Sequence, residues 1–318
     1  MWPQIFDHME QLMKNGVKLT IKKMKDYAAI YLLVVPPIIF IAVYRYYPII
    51  TQFVLSFKNY TIKGGIWGSK WIGWQNYIKI FSSTEFIRII VNTLRISILQ
   101  IAANFLLPIL LAVMLFDMSS TKMRRFSQSI LYIPHFFSWV IVYNLINIMF
   151  AQTGYINNLI QIFGIQNQDF LMQTKYFLPL IVSSNVWKEL GWGTIIYLAA
   201  LTAIDTELYE VAKIDGAGPV QRIWYVTIPG IIPVIVFVLT MSLGQLFTSA
   251  NTEQILLFYG PQNYTVSDVI GTWVYRQGLG QLQYSLGAAV SMFQSIIGLI
   301  LVLICNNIAN RTAGVGIW

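Results

Sequence analysis

The sequence predicts an all-α membrane protein that crosses the bilayer six times. Of its 318 residues, 56% are hydrophobic and only 11% are charged, whereas a soluble domain carries about 25% charged residues. A water-soluble fold of this size has too little interior to hide so much apolar side chain, so lipid is the expected solvent. Apolar stretches of about 20 residues, the length of a spanning helix, recur along the whole chain.

Six such stretches define the predicted spans. Their approximate bounds are 27–47, 92–115, 127–150, 177–201, 229–250 and 286–308. Pro134 inside the third stretch does not disqualify it, because packed membrane helices can satisfy the backbone groups that a proline frees. The first stretch is too long for a signal peptide and no small-residue cleavage site follows it, so we expect it to be retained.

The orientation follows from the distribution of Lys and Arg. Lys22, Lys23 and Lys25 lie directly before the first span, and basic residues favour the cytoplasmic side of a membrane. We therefore expect residues 1–26 to form a cytoplasmic N-terminal segment and residues 27–318 to form the transmembrane domain. Both termini and the loop 202–228 then face the cytoplasm.

The composition argues against several other classes of protein. The net charge is +8, but the basic residues are spread over the ends of apolar segments and do not form a nucleic-acid-binding stripe. One Cys and two His leave no material for a disulfide framework or a zinc site. A membrane enzyme would need clustered Asp, His or Ser groups, which the sequence does not supply.

The loop 202–228 has the pattern of a helix–turn–helix. Asp205 or Thr206 can cap a short helix that runs to about Ile214, with acidic residues near its positive end. Gly216 then permits a sharp turn, and a second amphipathic piece leads into the fifth span. A loop that only connects two spans would be short and polar, whereas this one alternates apolar and charged residues.

The same loop resembles the signature of ABC importer permeases, which is Glu-Ala-Ala, three residues, Gly, nine residues and Ile-x-Leu-Pro. In this chain Glu210-Val211-Ala212 is followed after three residues by Gly216, and nine more lead to Val226-Thr227-Ile228-Pro229. The resemblance implies a coupling helix that docks into a groove on a separate ATPase. Glu210 and Asp215 would be its polar contacts, Ala212 a small contact, and Gly216 and Pro229 would shape the turn and the next span.

ATP is expected to bind elsewhere than on this chain. The sequence has no phosphate-binding Gly-x-x-x-x-Gly-Lys-Ser/Thr loop. We therefore expect no enzymatic activity and no cofactor in this subunit, with ATP and Mg²⁺ bound by partner ATPase subunits.

Further segments resemble the carbohydrate-uptake permeases of the MalF/UgpA/LplB type, within them the LplB-like oligo- and polysaccharide branch. They are Tyr31–Pro36, Trp71–Asn76, Asn92–Leu94, Gln128–Trp139, Trp187–Trp192 and Tyr197–Leu201. The resemblance implies the type I ABC importer permease (MetI/MalF-like) fold in a bacterial plasma membrane. It also implies a second homologous permease in a heterodimer, two ATP-binding subunits, an extracytoplasmic sugar-binding protein and a carbohydrate cargo.

Sugar sites pair aromatic platforms with a few polar groups, and the fourth predicted span has that mixture. By resemblance to maltose-type permeases, the positions expected along the cargo path are Asn185, Trp187, Lys188, Glu189 and Trp192 in span four and Ser242, Gln245, Leu246 and Ser249 in span five. A Lys–Glu pair at this depth is costly to bury, so it should face a partner or a wet cavity. The pair departs from the maltose-type pattern and suggests a different or charged glycan.

Other interpretations remain open at this point. Trp192 is equally consistent with an anchor at the membrane interface, and His135 is more often a packed structural residue than a pore-lining or proton-responsive one. The cargo could be another solute, such as glycerol phosphate or a peptide. An ion-coupled secondary sugar transporter is the remaining alternative, although it should carry intramembrane carboxylates in two repeats, and Glu189 is the sole acidic residue well inside a predicted span.

Overall fold

The computed structural model describes residues 27–248, 250–314 and 316–317. The expected N-terminal segment 1–26 and the predicted path residue Ser249 lie outside the described residues.

The described chain is built almost entirely of helices, which confirms the predicted all-α class. In chain order they are α1 (Ala28–Ile41), α2 (Tyr47–Ser56), α3 (Gly65–Gly68), α4 (Gln75–Phe81), α5 (Thr84–Phe116), α6 (Thr121–Tyr132), α7 (Trp139–Phe150), α8 (Tyr155–Ile162), α9 (Thr174–Thr202), α10 (Thr206–Ile214), α11 (Pro219–Arg222), α12 (Ile228–Gly244), α13 (Thr252–Phe258), α14 (Tyr264–Ser267), α15 (Ile270–Trp273) and α16 (Tyr284–Ala313). Two strands of two residues, β1 (Lys58–Asn59) and β2 (Lys70–Trp71), pair antiparallel in the loop after α2.

Wider π-helical turns join several of these helices without a break. Ala42–Tyr46 connects α1 to α2, Ile223–Thr227 connects α11 to α12, and Val274–Gly280 follows α15. A 3₁₀ turn, Ile133–Phe136, follows α6.

Among the described residues, five helical stretches are long and apolar enough to cross a membrane. They are Leu32–Ser56, Thr84–Phe116, Trp139–Ile162, Pro219–Gly244 and Tyr284–Arg311. The predicted fourth span falls in α9, whose 29 residues reach about 44 Å at 1.5 Å per residue. Lys188 and Glu189 at its centre lower its hydropathy, so a sixth span stays a prediction that rests on the length of α9.

The first predicted span, 27–47, continues as helix to Ser56, and two other predicted spans differ more from the helices observed. The third, 127–150, is not one helix, because α6 ends at Tyr132 and α7 begins only at Trp139. Pro134 lacks the N–H group that helix continuation needs, and Ser138 caps α7 by accepting a hydrogen bond from the Ile141 amide. The fifth, predicted as 229–250, instead begins at Pro219 and ends at Gly244, since the chain passes Pro229 without interruption.

The long helices α5 and α9 pack along each other and form the centre of the bundle. Near one end of the pair an apolar cluster joins them to α12, with Ala112, Tyr197 and Ile231 at its core. Near the other end a second cluster joins them to the segment after α12, through Ile96, Ile181, Ile255, Phe258 and Val269.

A polar layer separates these two apolar clusters. Gln100 on α5 donates a hydrogen bond to Gln254 on α13 over 3.2 Å, and the Gln254 amide donates to Ser184 Oγ on α9 over 2.9 Å. One turn further along, Asn104 donates to Asn185 Oδ1 over 2.6 Å. Buried polar groups of this kind need partners, so the layer fixes the register of α5, α9 and α13 at mid-height.

Candidate functional site

The predicted loop helix is α10, and both of its ends have the chemistry that the sequence indicated. Asp205 is the N-cap, and its Oδ1 accepts a hydrogen bond from the Glu207 amide at 3.0 Å. At the other end Gly216 has φ +78°. The Gly216 amide donates to the Lys213 carbonyl and the Ala217 amide to the Ala212 carbonyl. This pair of bonds is the Schellman motif, whose left-handed residue is most often glycine.

One side of α10 is fixed to the membrane-spanning helices. The Tyr209 hydroxyl lies 3.0 Å from Thr227 Oγ1 at the base of α12, and the Tyr209 ring packs on Phe116 at the end of α5, with centroids 5.9 Å apart. Beside it, Ile204 packs so closely on Gly230 that a Cβ at position 230 would lie 2.6 Å from Ile204 Cδ1. These contacts connect α10 and its loop directly to both α5 and α12.

The other side of α10 is an apolar surface with charges around it. Leu208, Val211 and Ile214 are exposed, Ile214 to 85%. Glu210, Asp215 and Gly216 are exposed as well, and Ala212 is half-buried. A nine-residue helix that is capped at both ends and presents apolar side chains outward has the form of a docking element.

The predicted charged pair of α9 contacts the break between α6 and α7. Lys188 is buried, and its Nζ donates to the His135 backbone carbonyl over 2.5 Å and lies 3.3 Å from Glu189 Oε1. Oε2 of Glu189 lies 2.8 Å from Nδ1 of His135. The Lys188 ammonium also lies over the Trp139 ring at 5.5 Å. The structure therefore gives Lys188 and Glu189 the partners that an ion pair at this depth requires.

A close helix contact and a stacked ring complete this cluster. A Cβ at Gly191 would lie 1.9 Å from the Leu131 carbonyl oxygen, so α9 can touch the backbone before the break only because this residue is glycine. One residue on, Trp192 stacks face to face on the His135 ring, with centroids 4.3 Å apart and an interplanar angle of 4°. Trp192 keeps 47% of its surface exposed.

The remaining predicted path residues do not all lie on this face. Asn185 is buried in the polar layer against Asn104. Trp187 lies in an apolar groove between α7 and α9, together with Leu145, Ile146 and Met149.

The residues predicted in span five lie at another crossing. Ser242 is in the last turn of α12, and Gln245 and Leu246 follow it. Here α12 approaches α16 so closely that a Cβ at Gly298 would lie 2.5 Å from the Gly244 carbonyl oxygen.

The sequence reasoning missed two parts of this site. The sequence favours a packed structural role for the half-buried His135, but nothing in it indicates the contacts with Glu189 and Trp192. Gly191 was not singled out at all. One sequence feature could have indicated both His135 and Gly191. Pro134 interrupts one predicted span, and a broken helix needs hydrogen-bond partners from outside. The charged pair next to a glycine in the following span could supply such partners.

Comparison with known proteins identifies the family. Residues 104–313 match the model of the binding-protein-dependent transport system inner membrane component. The polygalacturonan/rhamnogalacturonan transport system permease protein YteP of Bacillus subtilis is 37% identical over 306 residues, covering 96% of this chain and 95% of YteP. Protein LplB of the same organism is 36% identical, covering 89% of this chain and 88% of LplB.

A solved structure agrees with this similarity. A chain of a bacterial alginate ABC transporter, crystallised with a periplasmic protein that holds an alginate pentasaccharide, has 36% sequence identity to this one. The two superimpose with a TM-score of 0.86, over 93% of this chain and 99% of that one. The described helices thus have the fold of an ABC importer subunit, as the resemblance implied. This chain belongs to the family of binding-protein-dependent transport system inner membrane components.

Proposed function

We propose that this chain is one of two membrane-spanning permease subunits through which an ABC importer moves an oligosaccharide or polysaccharide fragment into a bacterial cell. A second, homologous permease completes the pathway, two ATPase subunits bind ATP and Mg²⁺ on the cytoplasmic side, and an extracytoplasmic sugar-binding protein delivers the cargo. The chain itself is a transport subunit, not an enzyme. The single observation that carries this proposal is α10, a doubly capped helix anchored to α5 and α12 with its apolar side exposed.

In this mechanism one of the two ATPase subunits holds α10 in a groove through Leu208, Val211 and Ile214, with Glu210 and Asp215 as polar contacts. Ala212 permits close approach, and Gly216 ends the helix without a side chain at the docking surface. Closure of the ATPases moves α10 as a rigid body, and the Tyr209 contacts carry that motion to α5 and α12. Pro229 lies within the continuous helix from Pro219 to Gly244, which keeps the base of α12 rigid. Both termini lie on the cytoplasmic side with α10.

We propose a glycan as the cargo because relatives that share more than a third of their residues with this chain are named for the transport of polysaccharides. YteP is named for polygalacturonan and rhamnogalacturonan, and the transporter of the solved structure is described as importing the acidic polysaccharide alginate. The exposed Trp192 ring, with Glu189 beside it, offers an apolar platform and a hydrogen-bond acceptor, which is how proteins hold sugar rings. Lys188 already contacts the His135 carbonyl and Glu189. It therefore stabilises the Trp192 platform and does not contact the sugar itself.

The remaining predicted positions take different places along the proposed pathway. Asn185 fixes the polar layer, and Ser242 and Gln245 line the end of α12 where it meets α16. Trp187 faces the groove beside α7, and Ser249 stays a predicted contact.

The experiment is uptake by proteoliposomes that contain this chain with its second permease and ATPases, supplied with loaded binding protein. We expect labelled oligogalacturonate to accumulate only when ATP and Mg²⁺ are present on the ATPase side. Uptake should persist when ionophores collapse the proton and sodium gradients. Uptake that fails without an ion gradient, or that is specific for glycerol 3-phosphate or a peptide, would overturn the proposal.

A further inference from the structure

A large open cavity lies at the end of the molecule opposite α10. Its volume is about 710 Å³, within the range of small-molecule sites. Its lining includes three tyrosines and an arginine, Tyr259, Tyr264, Tyr275 and Arg276, together with smaller polar and apolar residues. Helix α5 fixes its position. Phe116 at one end of α5 packs on Tyr209 of α10, whereas Glu85 at the other end binds Arg276. The cavity and the α10 surface are therefore separated by the length of the 33-residue α5, about 50 Å.

The wall of the cavity is held rigidly by ion pairs. Nη2 of Arg276 lies 2.8 Å from Glu85 Oε1 and 2.7 Å from Asp268 Oδ2. Asp268 is buried, and its other oxygen accepts hydrogen bonds from Thr272 at 2.8 Å and from the Tyr259 hydroxyl at 3.1 Å. These contacts join α5, the segment around α14 and the π turn after α15, so the cavity exists before any ligand arrives.

The aromatic rings form a surface suited to a sugar. Tyr259 and Tyr264 stack with centroids 4.3 Å apart, and the Arg276 guanidinium lies over the Tyr264 ring at 5.6 Å. Burial raises the pKa of the Tyr259 hydroxyl, and the neighbouring Asp268 carboxylate raises it further, so this hydroxyl stays protonated and keeps its hydrogen bond to Asp268. Tyr275 has 56% of its surface exposed and contributes a free ring to the mouth of the cavity.

The charges of the cavity indicate which part of a glycan it would hold. Among the described residues that line the cavity, the only guanidinium is that of Arg276, and it faces two carboxylates, Glu85 and Asp268. These lining residues therefore leave no unpaired positive charge for an acidic group on the ligand. Aromatic rings pack on the C–H face of a pyranose, and paired charged groups can form hydrogen bonds with its hydroxyls.

We propose that this cavity is a glycan subsite that holds the ring and hydroxyls of one end of the cargo, independently of its acidic groups, before the cargo reaches the face of α9. The subsite rests on the proposed function, because it lies on the side where a binding protein would release cargo. Tyr275 is its exposed platform, Tyr264 and Arg276 form its wall, and Glu85 and Asp268 are positioning residues that hold Arg276.

The test uses the complete transporter and a readout that does not depend on transport. Tyr275→Cys, in a chain whose one cysteine is replaced by Cys305→Ser, is labelled from outside with a membrane-impermeant maleimide. We expect binding protein loaded with oligogalacturonate to slow labelling several-fold, and a neutral oligosaccharide that the binding protein also accepts to protect equally well. Tyr155→Cys, which is also exposed but does not line the cavity, should label at an unchanged rate.

Three results would overturn the subsite. The first is equal protection by unloaded and loaded binding protein, which would make this surface a protein interface. The second is labelling at the same rate with and without cargo. The third is protection by the acidic cargo alone.

Transport kinetics give the second measurement. Tyr275→Ala should raise the KM for cargo roughly two- to tenfold, the size of one aromatic contact, while Tyr275→Phe stays near wild type. If the wild type takes up glycan and the Tyr275→Ala variant has the same KM as the wild type, the subsite is refuted but the proposed function is not. Absence of glycan uptake by the wild type would instead refute the proposed function.

Discussion

Lys188 of α9 donates a hydrogen bond over 2.5 Å to the backbone carbonyl of His135, in the middle of a broken helix. The break between α6 and α7 frees carbonyl groups that have no helical partner, and lipid cannot supply one. The buried ammonium of Lys188 supplies a hydrogen-bond donor to one of these carbonyls, and its charge is neutralised by Glu189 at 3.3 Å. The charged pair that the sequence placed on the cargo path is thus also part of the packing between α9 and the α6–α7 break.

Replacing Lys188 with Met should destabilise the protein. The substitution keeps much of the side-chain volume but leaves the His135 carbonyl without its donor, at a cost of about 1–3 kcal/mol. Thermal unfolding in detergent should show a lower midpoint than wild type. Lys122→Met removes a similar charge from an exposed position on α6 and should leave the midpoint unchanged; equal midpoints for both variants would show that the Lys188 contact does not stabilise the break.

Gly191→Ala should separate α9 from α6. The added Cβ would lie 1.9 Å from the Leu131 carbonyl oxygen, so the helices must move apart and the ring contact of Trp192 with His135 must change. We expect lower thermal stability and a change in tryptophan fluorescence. Gly68→Ala, where a Cβ meets nothing within 4 Å, is the matched control. A Gly191→Ala variant that matches wild type in both readouts would contradict the close packing.

The sequence predicted α10 well and the α6–α7 break poorly, for a physical reason. The ends of α10 are set by local chemistry at Asp205 and Gly216, which a sequence shows directly. The break depends on Lys188 and Glu189, more than fifty residues away along the chain, and Pro134 in an apolar run does not reveal that such partners exist. The cavity at Arg276 is harder still to foresee, because its closing contact with Glu85 spans 191 residues.

The length of the apolar runs in the sequence also led to a wrong end for the fifth predicted span. The fifth span was expected to continue to Ala250, whereas α12 ends at Gly244. The residues after Gly244 are apolar for a different reason, since Ala250 and Phe258 pack against Ile96 and Phe177 in an apolar cluster of their own. Hydrophobicity alone does not distinguish a spanning helix from a segment folded back into the bundle.

Gly216→Val should abolish transport while membrane insertion stays normal. The left-handed conformation at φ +78° costs an L-residue about 1–2 kcal/mol, and a β-branched side chain would also project at the end of the docking surface. ATP-dependent uptake and the membrane content of the chain are the two measurements. Gly218→Ala, in the same loop with ordinary φ and only a 3.7 Å contact for the new Cβ, should transport normally. Normal transport by Gly216→Val would remove this glycine from the docking role.

Trp192→Ala should weaken uptake by raising the KM for glycan roughly two- to tenfold, because it removes the exposed ring. Trp192→Phe keeps an aromatic face and should recover most of the affinity.

Trp187→Ala, in the groove beside α7, should also weaken uptake with no loss of ATPase assembly. Unchanged uptake in either alanine variant would remove that tryptophan from the cargo path.

If a separate ATPase holds α10 in a groove, the side chain at position 214 must lie against that ATPase. Ile214 is 85% exposed, so a photo-crosslinking residue can replace it without disturbing the core. In inverted membrane vesicles of cells that express the whole transporter, we expect a crosslink from position 214 to the ATPase subunit, with a yield that changes when ATP is added. A crosslink to this chain's own helices, or labelling of position 214 from the outer side of intact cells, would contradict it.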